Sequence, residues 1–264
     1  VETIRPGRLA GKRAVVLGAA GRDNMGQAIA ARFHAEGAAV LVAGRHMDEL
    51  QRFASEIEGH AAMADITVRT DLARLAQRAL EAMGGIDIAV NSTGWGLMTP
   101  FLETADEDLA RMTSLQFIGP FMFFQEMIKA MEGGGSLIQI SSATATIMLN
   151  DHAAYMGTKA GIDHVVRVVA HEFGARGIRA NSISPGLTDT PMNAAAKQVP
   201  GLFESFVDSY PLGRIGTMDD IAAAAVFLAE DSCFMTGQNL QVNGGLTLRR
   251  NPTREEMAAA TTPK

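Results

Sequence analysis

Two hydrophobic patterns alternate along the chain. Short apolar runs rich in β-branched residues are followed by longer stretches in which apolar positions recur every three or four residues. The runs predict strands at about 14–17, 40–43, 61–64, 86–91, 137–140, 180–183 and 240–242. The longer stretches predict helices near 26–36, 47–58, 71–83, 106–131, 155–176 and 218–229. Strands that are apolar on both faces, separated by helices, imply an α/β fold with a doubly wound, seven-stranded parallel sheet and helices on both sides. Transitions such as Ala35-Glu36-Gly37 mark helix ends, because glycine takes a left-handed cap without strain. No repeat, linker or low-complexity stretch interrupts residues 1–250, which read as one domain. Residues 251–264 read as a C-terminal tail, helical at its start and frayed beyond.

Composition narrows the function classes. A chain of 264 residues with 47% hydrophobic residues can bury its own core. A net charge of −6 argues against a nucleic-acid surface, which needs clustered Lys and Arg. The single cysteine, Cys233, excludes an internal disulfide and fits a reducing compartment. No run is long enough to span a membrane, and residues 1–6 show no apolar signal core, so a cytoplasmic protein is expected. The six histidines lack ligand spacing, so no metal site is expected.

The first predicted strand runs into Gly18-Ala-Ala-Gly21-Arg22-Asp-Asn-Met25-Gly26 and then a helix. Glycines at such a junction let the backbone approach a pyrophosphate, and the helix N-terminus favours the anion. A carboxylate at the tip of the second strand would accept hydrogen bonds from the adenosine ribose of NAD. Here the strand ends Gly44-Arg45, which leaves room for a 2′-phosphate and supplies a bidentate cation, with Arg22 as a second. NADP(H) is therefore expected over NAD(H).

Ser141-Ser142 follows the fifth strand, and Tyr155-Met-Gly-Thr-Lys159 begins the helix after it. Residues four apart share a helix face, so the Tyr155 hydroxyl and the Lys159 ammonium can address one site. Lowering a phenol by three pKa units takes roughly 4 kcal/mol, within reach of a close cation and a bound nicotinamide. Ser142 stands where it can hold a substrate oxygen. No Gly-x-Ser-x-Gly surrounds it, so it is not read as a nucleophile.

In these features the chain resembles the short-chain dehydrogenase/reductase family, in its Tyr-x-x-x-Lys branch. The resemblance covers about residues 9–247. It includes Asp65, Asn91-Ser-Thr-Gly94, Ser142, Tyr155, Lys159, Asn181 to Gly186 with Thr190, Pro211 to Arg214, and Thr236 to Gly245. It implies a Rossmann-like fold and a dimer or, more commonly, a homotetramer. It also implies that Tyr155 transfers the proton, that Ser142 orients the carbonyl or alcohol, and that Lys159 binds the nicotinamide ribose while lowering the tyrosine pKa. Asp65 and Ile66 would flank the adenine and Asn91 would lie along the cofactor. Gly94 would turn beside it, and Pro185, Gly186 and Thr190 would hold its nicotinamide end.

Three departures stand out. Leu17 replaces the family's usual threonine, and the Gly18-to-Gly26 span is two residues longer. That length is similar to the enoyl-reductase branch, with Asn24 and Gly26 in the last two positions. Asn91-Ser-Thr-Gly94 stands for the usual Asn-Asn-Ala-Gly. Gln116 stands where an asparagine supporting a proton-relay water is usual, moving the amide one methylene outward.

Phe117, Phe121, Phe123 and Phe124 are expected to fill the core and a subunit interface. Segments 94–98, 143–152 and 188–210 should face the substrate. The last, with Met192, Val199, Leu202, Phe203, Phe206 and Val207, reads as an amphipathic lid. With Trp95, Met98, Ile147 and Met148 it predicts an apolar pocket for a hydrophobic or cyclic alcohol or ketone, and His152 is a candidate substrate contact. Two competing readings remain: enoyl reduction on the same fold, and a catalytically silent dinucleotide-binding regulator. A halide-expelling lyase is disfavoured, since that activity has arginine in the Lys159 role.

Overall fold

The computed structural model describes residues 7–261; the segment read for a leader signal, the last three residues of the tail and the Met192 side chain lie outside the description. The strands are β1 (Arg13–Leu17), β2 (Ala39–Gly44), β3 (His60–Met63), β4 (Ile88–Asn91), β5 (Gly135–Ile140), β6 (Ile178–Pro185) and β7 (Asn239–Val242). They form one seven-stranded sheet in the order β3-β2-β1-β4-β5-β6-β7, with every pairing parallel. Strand period decides what each side chain packs on. Ala14 and Val16 of β1, Val40 and Val42 of β2, and Ile88 and Val90 of β4 face one core with α1 (Met25–Ala35), α2 (Met47–Glu56) and α9 (Met218–Ala229). Val15, Leu17, Leu41, Ala43 and Ala89 face the other, with α3 (Arg69–Met83), α5 (Gly119–Ala130) and α6 (Ala153–Phe173).

This is a Rossmann-like doubly wound sheet. The chain winds outward one way through β2 and β3 and the other way from β4, so the crevice opens at the carboxyl ends of β1 and β4. Glycine caps fall where local geometry requires them: Gly37 has φ 92° after α1, and Gly84 has φ 76° after α3.

The continuous helix expected over 106–131 is interrupted. It divides into α4 (Asp106–Thr113), a π turn over Ser114–Ile118, and α5. Pro120 has no N–H to donate to the Gln116 carbonyl, and the Gly119 N–H reaches back five residues to the Ser114 oxygen instead. Of the four phenylalanines, Phe123 and Phe124 are buried in the core; Phe117 packs partly buried beside it, whereas Phe121 and nearby Ile118 stand exposed.

The lid segment contains α7 (Ala194–Lys197) and α8 (Leu202–Val207), and the segment after Asn251 forms α10 (Arg254–Thr261) against α8. Phe206, Tyr210, Ala143 and Leu246 make a third small core, joined by Leu202, Ile147 and Met257. The region set apart from sequence as a tail thus contributes Asn251 and Met257 to buried or half-buried packing. Among the described residues, no helix is long and apolar enough to cross a membrane, and no cluster of His, Cys, Asp or Glu could hold a metal ion.

Candidate active site

The long glycine loop is closed by its own side chains. Asn24 caps α1 by accepting from the Gln27 N–H at 3.0 Å and donates to the Gly18 carbonyl at 2.8 Å. Buried Gln27 completes the loop, accepting from the Asp23 N–H and donating to the Ala19 carbonyl and the Glu49 carboxylate. The backbone comes close enough that a Cβ on Gly26 would lie 2.7 Å from the Gly18 oxygen, and one on Gly44 would lie 2.5 Å from the Ala20 methyl. The two extra residues are thus absorbed in a hydrogen-bonded turn, with Asp23 in left-handed backbone (φ 53°).

Two adjoining cavities share Asn24 and Ser92 to Gly94 and together form a groove across the carboxyl ends of the strands. At one end lie Gly18, Gly21, Gly44, Arg45, Asp65 and Ile66. At the other lie Met25, Gly26, Ser142, Tyr155, Lys159, Pro185, Gly186 and Thr190. The groove fits an extended dinucleotide: a glycine-walled cradle and a cation at one end, and a buried ammonium with a phenol at the other. Burial alone would raise the Asp65 carboxyl, but the Thr67 hydroxyl and N–H, with Arg45 nearby, hold it below its ordinary value. Those Thr67 bonds, at 2.7 and 2.9 Å, occupy Asp65 Oδ1.

Two expected cofactor contacts are not brought to the groove. Arg22 is 72% exposed in its side chain and lies 3.8 Å from Asp23, outside the groove wall. Asn91 is fully buried, donates to Gln139 Oε1 at 2.9 Å and accepts from the Thr93 N–H and hydroxyl. It shapes the turn, while Ser92, Thr93 and Gly94 form the wall.

α6 carries Tyr155 and Lys159 on one face, with the Lys159 Nζ 5.6 Å from the Tyr155 ring centre. Lys159 is buried and donates to the Ile140 carbonyl at 2.8 Å. Burial lowers its pKa to about 8, against an opposing pull from Asp163. The Tyr155 phenol is raised, not lowered: burial dominates, the Ser142 hydroxyl opposes it, and the Asp163 carboxylate adds to the rise. The expected lowering joined the ammonium to a bound nicotinamide; among the protein's own side chains the burial of the phenol sets the direction, and the ammonium donates to a main-chain oxygen. Ser142 pairs with the Thr144 hydroxyl at 2.8 Å, which fixes the turn after β5.

Gln116 sits buried in the π turn. Its Nε2 donates to the Thr158 hydroxyl at 3.2 Å, and its Oε1 accepts from the Trp95 N–H at 3.3 Å. A Cβ at Gly94 would stand 3.3 Å from Gln116 Oε1 and 3.9 Å from Lys159 Nζ, so both groups lie under that turn. The longer amide therefore clamps the loop at Trp95, whose ring is covered by the Arg111 guanidinium at 4.0 Å.

A third cavity adjoins Ser142 and Tyr155 under the lid. Its walls are mainly apolar, from Leu149, Leu187, Leu202, Phe203, Phe206 and Met257. Polar groups enter through His152, Asn193 and Asn251. His152 lies edge-on to Tyr155, with ring centres 5.5 Å apart, and burial lowers its pKa. Met148 and Val199 are exposed and do not line this cavity.

The family model described as "Enoyl-(Acyl carrier protein) reductase" matches residues 18–247. Glucose 1-dehydrogenase of Gluconobacter oxydans is 34% identical, over 91% of this chain and 94% of that protein. The chain belongs to the short-chain dehydrogenase/reductase family. Similar relatives of this family include D-threitol dehydrogenase of Mycolicibacterium smegmatis, 34% identical over 92% of this chain and 95% of that one. Another is 3beta-hydroxysteroid dehydrogenase 1 of Eggerthella lenta, 33% identical over 91% and 95%. A short-chain type dehydrogenase/reductase from Mycobacterium ulcerans superposes with a TM-score of 0.90 at 31% identity, covering 94% of each chain.

As a short-chain dehydrogenase/reductase, the protein is an oxidoreductase of a family that uses nicotinamide dinucleotides. Sequence reasoning missed Thr93, Asn251 and Met257 as wall residues, and it pointed to the 188–210 segment without singling out Asn193. Thr93 had a signal in its turn motif. Asn251 and Met257 lie in a segment without a motif, and only its packing brings them to the site.

Proposed function

We propose that this protein is an NADP(H)-dependent alcohol dehydrogenase or ketoreductase acting on an apolar or cyclic substrate. The observation that carries the cofactor preference is the β2 tip, where Gly44 and Arg45 line the groove and the Asp65 carboxylate beside them has its Oδ1 engaged by Thr67. Arg45 would pair with a 2′-phosphate, and Gly44 lets the β2 tip close against Ala20 of the glycine loop beside it. The bound dinucleotide supplies hydride chemistry at its nicotinamide. Tyr155 donates the proton to a carbonyl oxygen, or takes it from an alcohol, and Ser142 holds that oxygen in place. Lys159 anchors the nicotinamide ribose, and its positive charge favours the phenolate. The apolar lid supports a hydrophobic substrate.

NADPH and NADH binding compared between the wild type and Arg45→Ala tests this. Tight NADPH binding that falls to the NADH level in the variant is expected; tighter NADH binding in the wild type would reject it.

A second reading keeps the reaction and changes the substrate to a polyol. His152, Asn193 and Asn251 in the cavity favour it, as do relatives named for glucose and threitol. Enoyl reduction, suggested by the loop length and by the family model's description, is disfavoured by the four-residue spacing of Tyr155 and Lys159, since that branch separates the pair further. Rates on an enone's carbonyl and on its double bond separate these. Exposed Ile118 and Phe121 on the π turn and α5 support a homodimer or homotetramer.

A further inference from the structure

The face of α6 that carries Tyr155 and Lys159 continues one turn further to Asp163. Asp163 Oδ2 accepts from the Ser141 hydroxyl at 2.7 Å and from the Asn239 amide of β7 at 2.6 Å. Its Oδ1 and the Ser182 hydroxyl of β6 are both buried and make no hydrogen bond of good geometry, although that hydroxyl lies close enough to favour the carboxylate; the Ser184 hydroxyl is buried without a partner. A half-satisfied buried carboxylate is costly, and an amide or hydroxyl would fill the place at less expense. Ser141 directly precedes Ser142, so the carboxylate ties the catalytic-serine turn to the far strand of the sheet.

We propose that Asp163 is a positioning residue: it anchors the Ser141–Ser142 turn to β7 and places a carboxylate one helical turn beyond Lys159 on the face that carries Tyr155. Among the described residues, the side chains hydrogen-bonded around this stripe are neutral. β5 and the turn after it present Ser141 and Ser142, β6 presents Ser182, β7 presents Asn239, and the π turn presents Gln116. Arg111 of α4 is turned onto Trp95, and His152 lies on the far side of Tyr155 with its pKa lowered by burial. Lys159 and Asp163 favour each other's charged forms, while Asp163 opposes ionisation of Tyr155. Burial pushes the Asp163 carboxyl up, with Ser182, Ser141, Lys159 and Asn239 pulling it back. Neutralising Asp163 therefore moves both Tyr155 and Lys159 to lower pKa.

This inference rests on the Tyr155–Lys159 reading of the site, and its test needs neither dinucleotide nor substrate. The chain has 2 tyrosines, and burial pushes the other, Tyr210, up to about 12. Tyrosinate absorbance titrations, with the Tyr155→Phe curve subtracted, isolate Tyr155. In Asp163→Asn its midpoint is expected to fall by about one unit, and Asp163→Glu should keep it near the wild-type value. The alkaline limb of kcat/KM for carbonyl reduction should move the same way. Asp163→Thr serves as a second neutral variant. An unmoved midpoint in a folded neutral variant, or failure of both neutral variants to fold, overturns the proposal and leaves Asp163 a purely structural residue. An inactive wild type would reject the proposed reaction and leave the titration result standing.

Discussion

Lys159 gives its ammonium to the carbonyl oxygen of Ile140, the last residue of β5, at 2.8 Å. The bond fixes the ammonium under the Gly94 turn and binds α6 to the strand that ends at Ser141. It does not offset the burial, which brings the amine to about 8. An amine lowered from 10.5 to about 8 holds fewer protons folded than unfolded between those values, so this group's contribution to stability rises with pH through that window. Below it the cost is about 3 kcal/mol.

Lys159→Met should therefore melt no lower than the wild type at pH 7, and the difference between the two should shrink between pH 8 and 10.5. Turnover should drop by about a hundredfold or more. Thermal melts across pH, with initial rates, check both; a lower melting temperature at pH 7 would show that the ammonium is net stabilising.

Tyr155→Phe and Ser142→Ala should each lower kcat by about 10²–10⁴ while leaving NADPH affinity within a few-fold. Turnover retained in Tyr155→Phe would take Tyr155 out of the reaction, and a wild type that binds dinucleotide without turnover would favour the silent-regulator reading.

Gly44→Ala is expected to weaken dinucleotide binding and to destabilise the fold by about 1–3 kcal/mol, because its Cβ would stand 2.5 Å from that of Ala20. Either the β2 tip or the glycine loop must move. Denaturant unfolding and a binding isotherm read the two effects.

Asn24→Ala removes both the α1 cap and the bond to the Gly18 carbonyl. A loss of about 1 kcal/mol in stability is expected, with weaker dinucleotide binding. Asn24→Ser should restore the cap and much of the stability. Equal melting of all three proteins would show that the loop is held by its backbone.

Removing residues 251–264 deletes Asn251 and Met257 from the substrate cavity, together with the Arg254–Asp151 ion pair beside His152. KM for the substrate should rise more than kcat falls, and NADPH binding should stay unchanged. Arg254→Ala alone should have a small, salt-sensitive effect, since Arg254 is largely exposed. Steady-state kinetics at two ionic strengths distinguishes them.

The layers, the parallel sheet and the reactive pair were legible in the residues alone, whereas the strand order came from the fold. Apolar runs at β1, β2 and β4 are two-sided and admit only a covered parallel sheet, and the four-residue spacing of Tyr155 and Lys159 places both on one helix face whatever surrounds them. Local chemistry also marked the groove, since Gly18, Gly26 and Gly44 occur where a Cβ would strike neighbouring backbone or side chain. Tertiary structure decided what those side chains meet. The direction of Arg22, the inward commitment of Asn91 and the clamp of Gln116 on Trp95 depend on partners far away in sequence or on loop geometry. So does the sign of the Tyr155 shift, because desolvation is a property of the finished packing and no spacing rule carries it. The same holds for α10: nothing in its sequence says it will close the substrate cavity, and only its contact with α8 makes it a wall.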